Sequence, residues 1–156
     1  MRWSRLCAVF WENDMYTIQT EAYFDSAHFL AGYDGKCSNI HGHRWMVVVE
    51  ASSETLDPNG QTRGMVMDFS DLKRLLREET KKLDHSLIIE EGSLRKKTIE
   101  ALEEENFRIV TFPFRPTAEN LAKYFFDQLK KAGCPVRRVK VYETPRNMAG
   151  YEEEQA

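Results

Sequence analysis

Two alternating stretches constrain this chain more than anything else in it. Residues 15–24 place Tyr16, Ile18, Thr20, Ala22 and Phe24 on one side and Thr17, Gln19, Glu21 and Tyr23 on the other. Residues 43–51 repeat the pattern with His43, Trp45, Val47, Val49 and Ala51. A period of two in β-favouring residues predicts strands with one face buried. Histidines sit at the ends of these strands. His28 follows the first in Phe24-Asp25-Ser26-Ala27-His28, and the second opens with Cys37-Ser38-Asn39-Ile40-His41-Gly42-His43. Three of the four histidines in the chain therefore fall in one short stretch, with a cysteine among them.

The rest of the chain reads as follows. Residues 31–39 are a loop, and Asp57-Pro58-Asn59-Gly60 with Gly64 marks a turn-rich segment. Two strands flanking such a loop most simply pair antiparallel, with Met65–Met67 closing the second. Asp68 is placed to cap a helix over Phe69–Leu83, where Phe69, Leu72, Leu75, Leu76 and Leu83 share a face. Asp84-His85 then lies in a non-helical connection. A shorter polar helix is expected over Gly92–Glu105 and a short strand over Phe107–Phe112. Thr117 can cap a helix carrying Leu121, Phe125 and Leu129 on one face, which Gly133 is placed to end. Arg137–Thr144 reads as the last strand. This order predicts an α+β sandwich of antiparallel sheet and helices.

At 156 residues the chain is expected to be one domain, and 42% hydrophobic with 30% charged residues is ordinary for a globular protein. A net charge of −3 provides no global attraction to nucleic acid or to an acidic membrane surface. No apolar run approaches the roughly 20 residues that span a bilayer. Three scattered cysteines do not resemble a disulfide framework, so a reducing cytoplasm is expected. Residues 1–14 lack the apolar core and cleavage site of a signal peptide, and are expected to be a poorly ordered arm or an upstream start that the fold does not need.

The chemistry-bearing residues each have a plain reading beside a functional one. His41 and His43, two apart on a strand, present both imidazoles on one face, and His28 can come alongside as a third nitrogen ligand. Three neutral imidazoles suit zinc and leave a fourth position open. The alternative is a loop with structural histidines. Cys37 can be a fourth ligand, a thiol activated by the positive field, or an inert loop residue, and spacing does not choose. Asp84 can orient His85 as a general acid or base, or the two can be a cap and a surface histidine. Glu143 shares a face with Val139 and Val141, where an unpaired carboxylate is costly. It is either salt-bridged or free to grip a ligand with two parallel N–H donors, as guanine-like and pterin rings have. Glu119 can be only a favourable charge in a first helical turn. The basic groups Arg95-Lys96-Lys97 and Arg137-Arg138 can bind phosphate or be solvated.

Taken in order, Phe24-Asp25-Ser26-Ala27-His28, Cys37-x3-His41-Gly42-His43, Gly64-Met65-Val66-Met67-Asp68-Phe69, Leu83-Asp84-His85, Pro116-Thr117-Ala118-Glu119-Asn120 and Val141-Tyr142-Glu143-Thr144 resemble the 6-pyruvoyl-tetrahydropterin synthase family. The short gap between Cys37 and His41 is like its 6-carboxy-5,6,7,8-tetrahydropterin synthase branch, which serves queuosine (7-deazaguanine) biosynthesis. The resemblance implies a tunnelling fold, or T-fold, whose antiparallel strands join in a trimeric β-barrel, two barrels stacking into a homohexamer with sites at subunit interfaces. It implies zinc held by His28, His41 and His43, catalysis by Cys37, Asp84 and His85, a pterin anchored by Glu143, and Thr117 and Glu119 near the ring pocket. The implied substrate is 7,8-dihydroneopterin triphosphate. Two departures stand out: the arm over residues 1–14 and an inserted helix and strand at about 90–115. A pyruvoyl-forming activity and a non-catalytic zinc-stabilised module are the rival readings.

Overall fold

A computed structural model describes residues 14–153. The arm expected over residues 1–14 lies, Asp14 apart, outside the described residues. The elements run β1 (Tyr16–His28), β2 (His41–Ser53), α1 (Phe69–Lys81), β3 (Ser86–Glu90), α2 (Lys96–Glu104), β4 (Ile109–Phe112), α3 (Ala118–Lys131), β5 (Val136–Thr144) and β6 (Asn147–Glu152). The strands form one six-stranded sheet in the order β4-β3-β1-β2-β5-β6.

The period-two stretches build its centre. β1 and β2 pair antiparallel from Tyr16 opposite Ser53 to His28 opposite His41. Along β1 the buried side continues past the apolar residues into Ser26 and His28. Trp45, Val47, Val49 and Ala51 of β2 and Val139 and Val141 of β5 are fully buried on the same side. Leu72 and Leu76 of α1 and Leu121, Phe125 and Leu129 of α3 pack into that cluster. Each such side chain contributes about 1.5–3 kcal/mol of burial free energy, which is what holds helices of this length in place.

Both anticipated caps form. The Asp68 carboxylate accepts from Ser70 N at 2.7 Å, and Thr117 Oγ1 accepts from Asn120 N at 3.3 Å. Gly133 takes a φ of +84° just beyond α3, a conformation that suits glycine.

Two expectations are corrected. The sheet is mixed: β3 lies parallel to β1, with Ser26 beside Ser86, and β4 lies parallel to β3, with Leu87 beside Ile109. The α2 crossover between β3 and β4 returns the chain in the same direction, which a tight hairpin cannot do. Met65–Met67 forms no strand. Both edges of β2 are already taken by β1 and β5. Met65 O instead accepts from Asp57 N at 3.0 Å and Gly64 N donates to Asp57 O at 2.8 Å, so the segment closes on itself.

Candidate active site

The pairing of β1 with β2 sets the histidine cluster. His28 stands directly across from His41, and His43 is one same-face position further along β2. The His28 ring centroid lies 4.5 Å from that of His41 and 5.2 Å from that of His43. His28 Nδ1 donates to Pro116 O at 2.8 Å, and His41 Nδ1 donates to Asn39 O at 2.8 Å. A carbonyl only accepts, so both rings keep Nε2 as the bare nitrogen. His28 Nε2 and His43 Nε2 are buried without a hydrogen-bond partner. One ligand atom from each of the three histidines lies within 4.8 Å of the others.

Burial pushes the His28 imidazole down to about 4, with the neighbouring imidazoles adding to the effect and the Pro116 carbonyl opposing it. Burial also lowers His43, against a raising influence from Glu143. Neutral rings, orphaned nitrogens and carbonyl partners that fix the tautomer are the preparation a metal ligand needs. The residues therefore fit a metal ion. Among the described residues this ligand group comprises the three histidines and does not include Cys37. Three nitrogens leave room for an exchangeable position.

Cys37 lies on the loop that joins β1 to β2, between His28 and His41 in the chain. Leu30 N donates to Cys37 O at 2.8 Å, and a single 3-10 turn over Lys36–Ser38 follows Gly35. Across from it, Arg115 Nη2 donates to Ala31 O at 2.6 Å, tying the loop to the entry of α3. The result is a cavity of about 290 Å³ on which Cys37, Thr117, Glu119 and Glu143 all border. Residues from three distant parts of the sequence thus meet in one place. Tyr33 of the loop and Asn147 and Met148 of β6 are among the other residues that line it. Sequence reasoning missed these three. The only hint of the last two was Pro145-Arg146, a turn after β5 that reverses the chain.

Asp84 and His85 are elsewhere. Asp84 borders a cavity with Glu21, Arg77 and Lys81, whereas His85 borders another with Asp25, Ile40, Phe107 and Arg108. Neither borders the cavity of Cys37. The two do meet each other, His85 Nδ1 lying 3.0 Å from Asp84 Oδ2. The Asp25 backbone N–H, bonded to Asp84 Oδ1 at 2.9 Å, is the main cause holding the Asp84 carboxyl below its usual range, and His85 adds to it. His85 has a φ of +52°, uncommon for a residue with a side chain. Of the basic groups, Lys96 pairs with Glu100, Arg137 with Glu50 and Arg138 with Glu152.

Comparison with known proteins bears on the family and the fold. The chain is 37% identical to the 6-carboxy-5,6,7,8-tetrahydropterin synthase of Haemophilus influenzae over 89% of its own length and 100% of the relative's. It is 34% identical to the protein of that name from Synechocystis, over 88% and 93%. The solved structure of Caenorhabditis elegans 6-pyruvoyl tetrahydropterin synthase superposes with a TM-score of 0.65 at 28% identity, covering 90% of this chain and 97% of that one. An uncharacterized protein from Wolinella succinogenes, at 22% identity and a TM-score of 0.70, shares the fold over 90% of this chain and 99% of its own. The model of the 6-pyruvoyl tetrahydropterin synthase family matches residues 17–154, and with it this T-fold chain belongs to that family.

Proposed function

We propose that the chain is a 6-carboxy-5,6,7,8-tetrahydropterin synthase, a lyase converting 7,8-dihydroneopterin triphosphate to 6-carboxytetrahydropterin, acetaldehyde and triphosphate. The observation that carries this reading is one cavity shared by a thiol and a carboxylate, Cys37 and Glu143, whose carboxylate acts electrostatically on His43 of the three convergent imidazoles. The names of the relatives at 34–37% identity support it.

Zinc is the resident metal in this reading, held by His28, His41 and His43 and supplying a Lewis acid for the oxygens of the substrate side chain. Glu143 accepts two parallel N–H bonds from the pterin edge and so fixes which carbon faces Cys37. Thr117 and Glu119 border the ring. Cys37, as thiolate, takes the proton from the side-chain carbon, and His85, oriented by Asp84, returns a proton on the opposite side. Because Asp84 and His85 lie outside the cavity of their own chain, a neighbouring copy supplies them, in a homohexamer of two trimers with shared sites. No helix of the described residues is long and apolar enough to cross a membrane. Cys37 and Cys134 are free thiols, in keeping with a cytoplasmic enzyme of queuosine biosynthesis.

The pyruvoyl-forming reaction is the competing reading, because the family model and the nematode structure carry that name. Anaerobic incubation of the zinc-loaded protein with dihydroneopterin triphosphate, followed by mass spectrometry, separates them. Acetaldehyde and the carboxylate are expected. A pterin that loses triphosphate but keeps its side-chain carbons would overturn the proposal.

A further inference from the structure

We infer that Arg108 is a positioning residue for His85, an inference that rests on the proton-transfer role proposed for His85. Arg108 stands immediately before β4 and grips the chain on both sides of that histidine. Its Nη1 donates to Asp84 O at 3.0 Å and its Nη2 to Lys82 O at 2.7 Å. Its own backbone carbonyl accepts from Leu87 N at 2.9 Å. The guanidinium therefore binds the two carbonyls that lead into His85, and the main chain binds the strand that leaves it.

The turn between needs such a splint. His85 holds a left-handed φ of +52°, and a residue with a Cβ stays there only when its surroundings over-determine it. One side of the restraint comes from β1, where Asp25 O accepts from His85 N at 2.7 Å and Asp25 N donates to Asp84 Oδ1 at 2.9 Å. Arg108 supplies the other side. The carbonyls it takes lie just past the C-terminal end of α1, where backbone acceptors have no helical partner. A planar fork reaches two of them at once, which an ammonium does with less geometric control. His85 is 79% exposed, so packing against its own chain does little to direct the ring. The segment containing α2 and β4 gains a purpose on this view. It delivers Arg108 to the His85 turn.

The test uses the full-length protein with Arg108→Gln and Arg108→Lys, measuring kcat and KM for dihydroneopterin triphosphate, thermal melting, and the His85 imidazole titration by NMR. Arg108→Gln is expected to lower kcat by about tenfold or more with KM within about twofold, as misplacement of a proton-transfer group does. The His85 titration midpoint moves in Arg108→Gln, and Arg108→Lys recovers part of both effects. A kcat within about twofold of wild type, or a fall in kcat with an unmoved His85 titration, overturns the inference. If the wild-type protein does not turn this substrate over, the reading of the reaction fails instead. The His85 titration then decides the role of Arg108 alone.

Discussion

The two histidine-bearing regions are built on opposite plans. His28, His41 and His43 stand on paired strands, where the register leaves no freedom over which ring faces which. The Nε2 atoms of His28 and His43 are desolvated, and His28 is 1% exposed. His85 sits on a turn, exposed, in a backbone conformation that its neighbours must hold. A metal site tolerates rigidity because its ligands do not change partners. A group that carries protons must meet solvent and substrate in turn. In the proposed function the first region is finished within one chain and a neighbouring copy completes the second.

Substitutions can break that contrast. The largest effect is expected from a change at the strand-built site set against one on the loop between its strands. His41→Ala should lose both stoichiometric zinc and turnover, whereas Cys37→Ala should abolish turnover while zinc stays bound. Metal analysis beside the activity assay reads this directly, and zinc lost from Cys37→Ala would make that residue a ligand instead. On the turn, His85→Ala is expected to lower kcat by about 10²–10⁴-fold, the usual worth of a general acid or base, with zinc content unchanged.

Next comes the response to pH. His28 titrates at about 4 in the fold against 6.5 ordinarily, so between those values the unfolded chain binds the extra proton. Stability of the metal-free protein is then full above pH 6.5 and falls toward pH 4, by about 3 kcal/mol from this group. Urea melts in chelator at the two ends of that window measure it, and a flat profile would contradict the burial of a neutral ring. The smallest expected effect is at Glu143. Glu143→Ala should weaken pterin binding by about 10–100-fold, the worth of charge-assisted hydrogen bonds, while the melting temperature barely moves. Unchanged affinity would remove its role as an anchor.

Legibility in the sequence follows the same division. The alternation in β1 and β2 was readable because one face of each is buried, and an antiparallel pair joined by a loop puts His28 near His41 almost automatically. Asp68 and Thr117 were readable as caps because their chemistry is local. β3 was missed because Ser86–Glu90 is short, with Ile88 and Ile89 both fully buried, and a strand covered on two faces shows no alternation. β6 was missed because an edge strand with Ala149 and Gly150 carries little β-propensity. Cys37, Thr117, Glu119 and Glu143 could be nominated singly, but their shared cavity depends on a sheet order that no local pattern encodes. Asp84-His85 was legible as a pair. Its separation from the cysteine was not, because the parallel placement of β3 beside β1 decides it.

Trp45 sits under the cluster, its ring centroid 4.9 Å from that of His28 and 5.2 Å from that of His43, edge-on to both. It is the only tryptophan among the described residues, Trp3 and Trp11 lying outside them. An indole that close is quenched by a charged imidazole and feels a cation held between the rings. With Trp3 and Trp11 replaced by phenylalanine, emission from this one fluorophore would report metal loading and histidine protonation in real time. The enzyme thereby carries its own optical gauge, buried where no external label could be placed without disturbing what it measures.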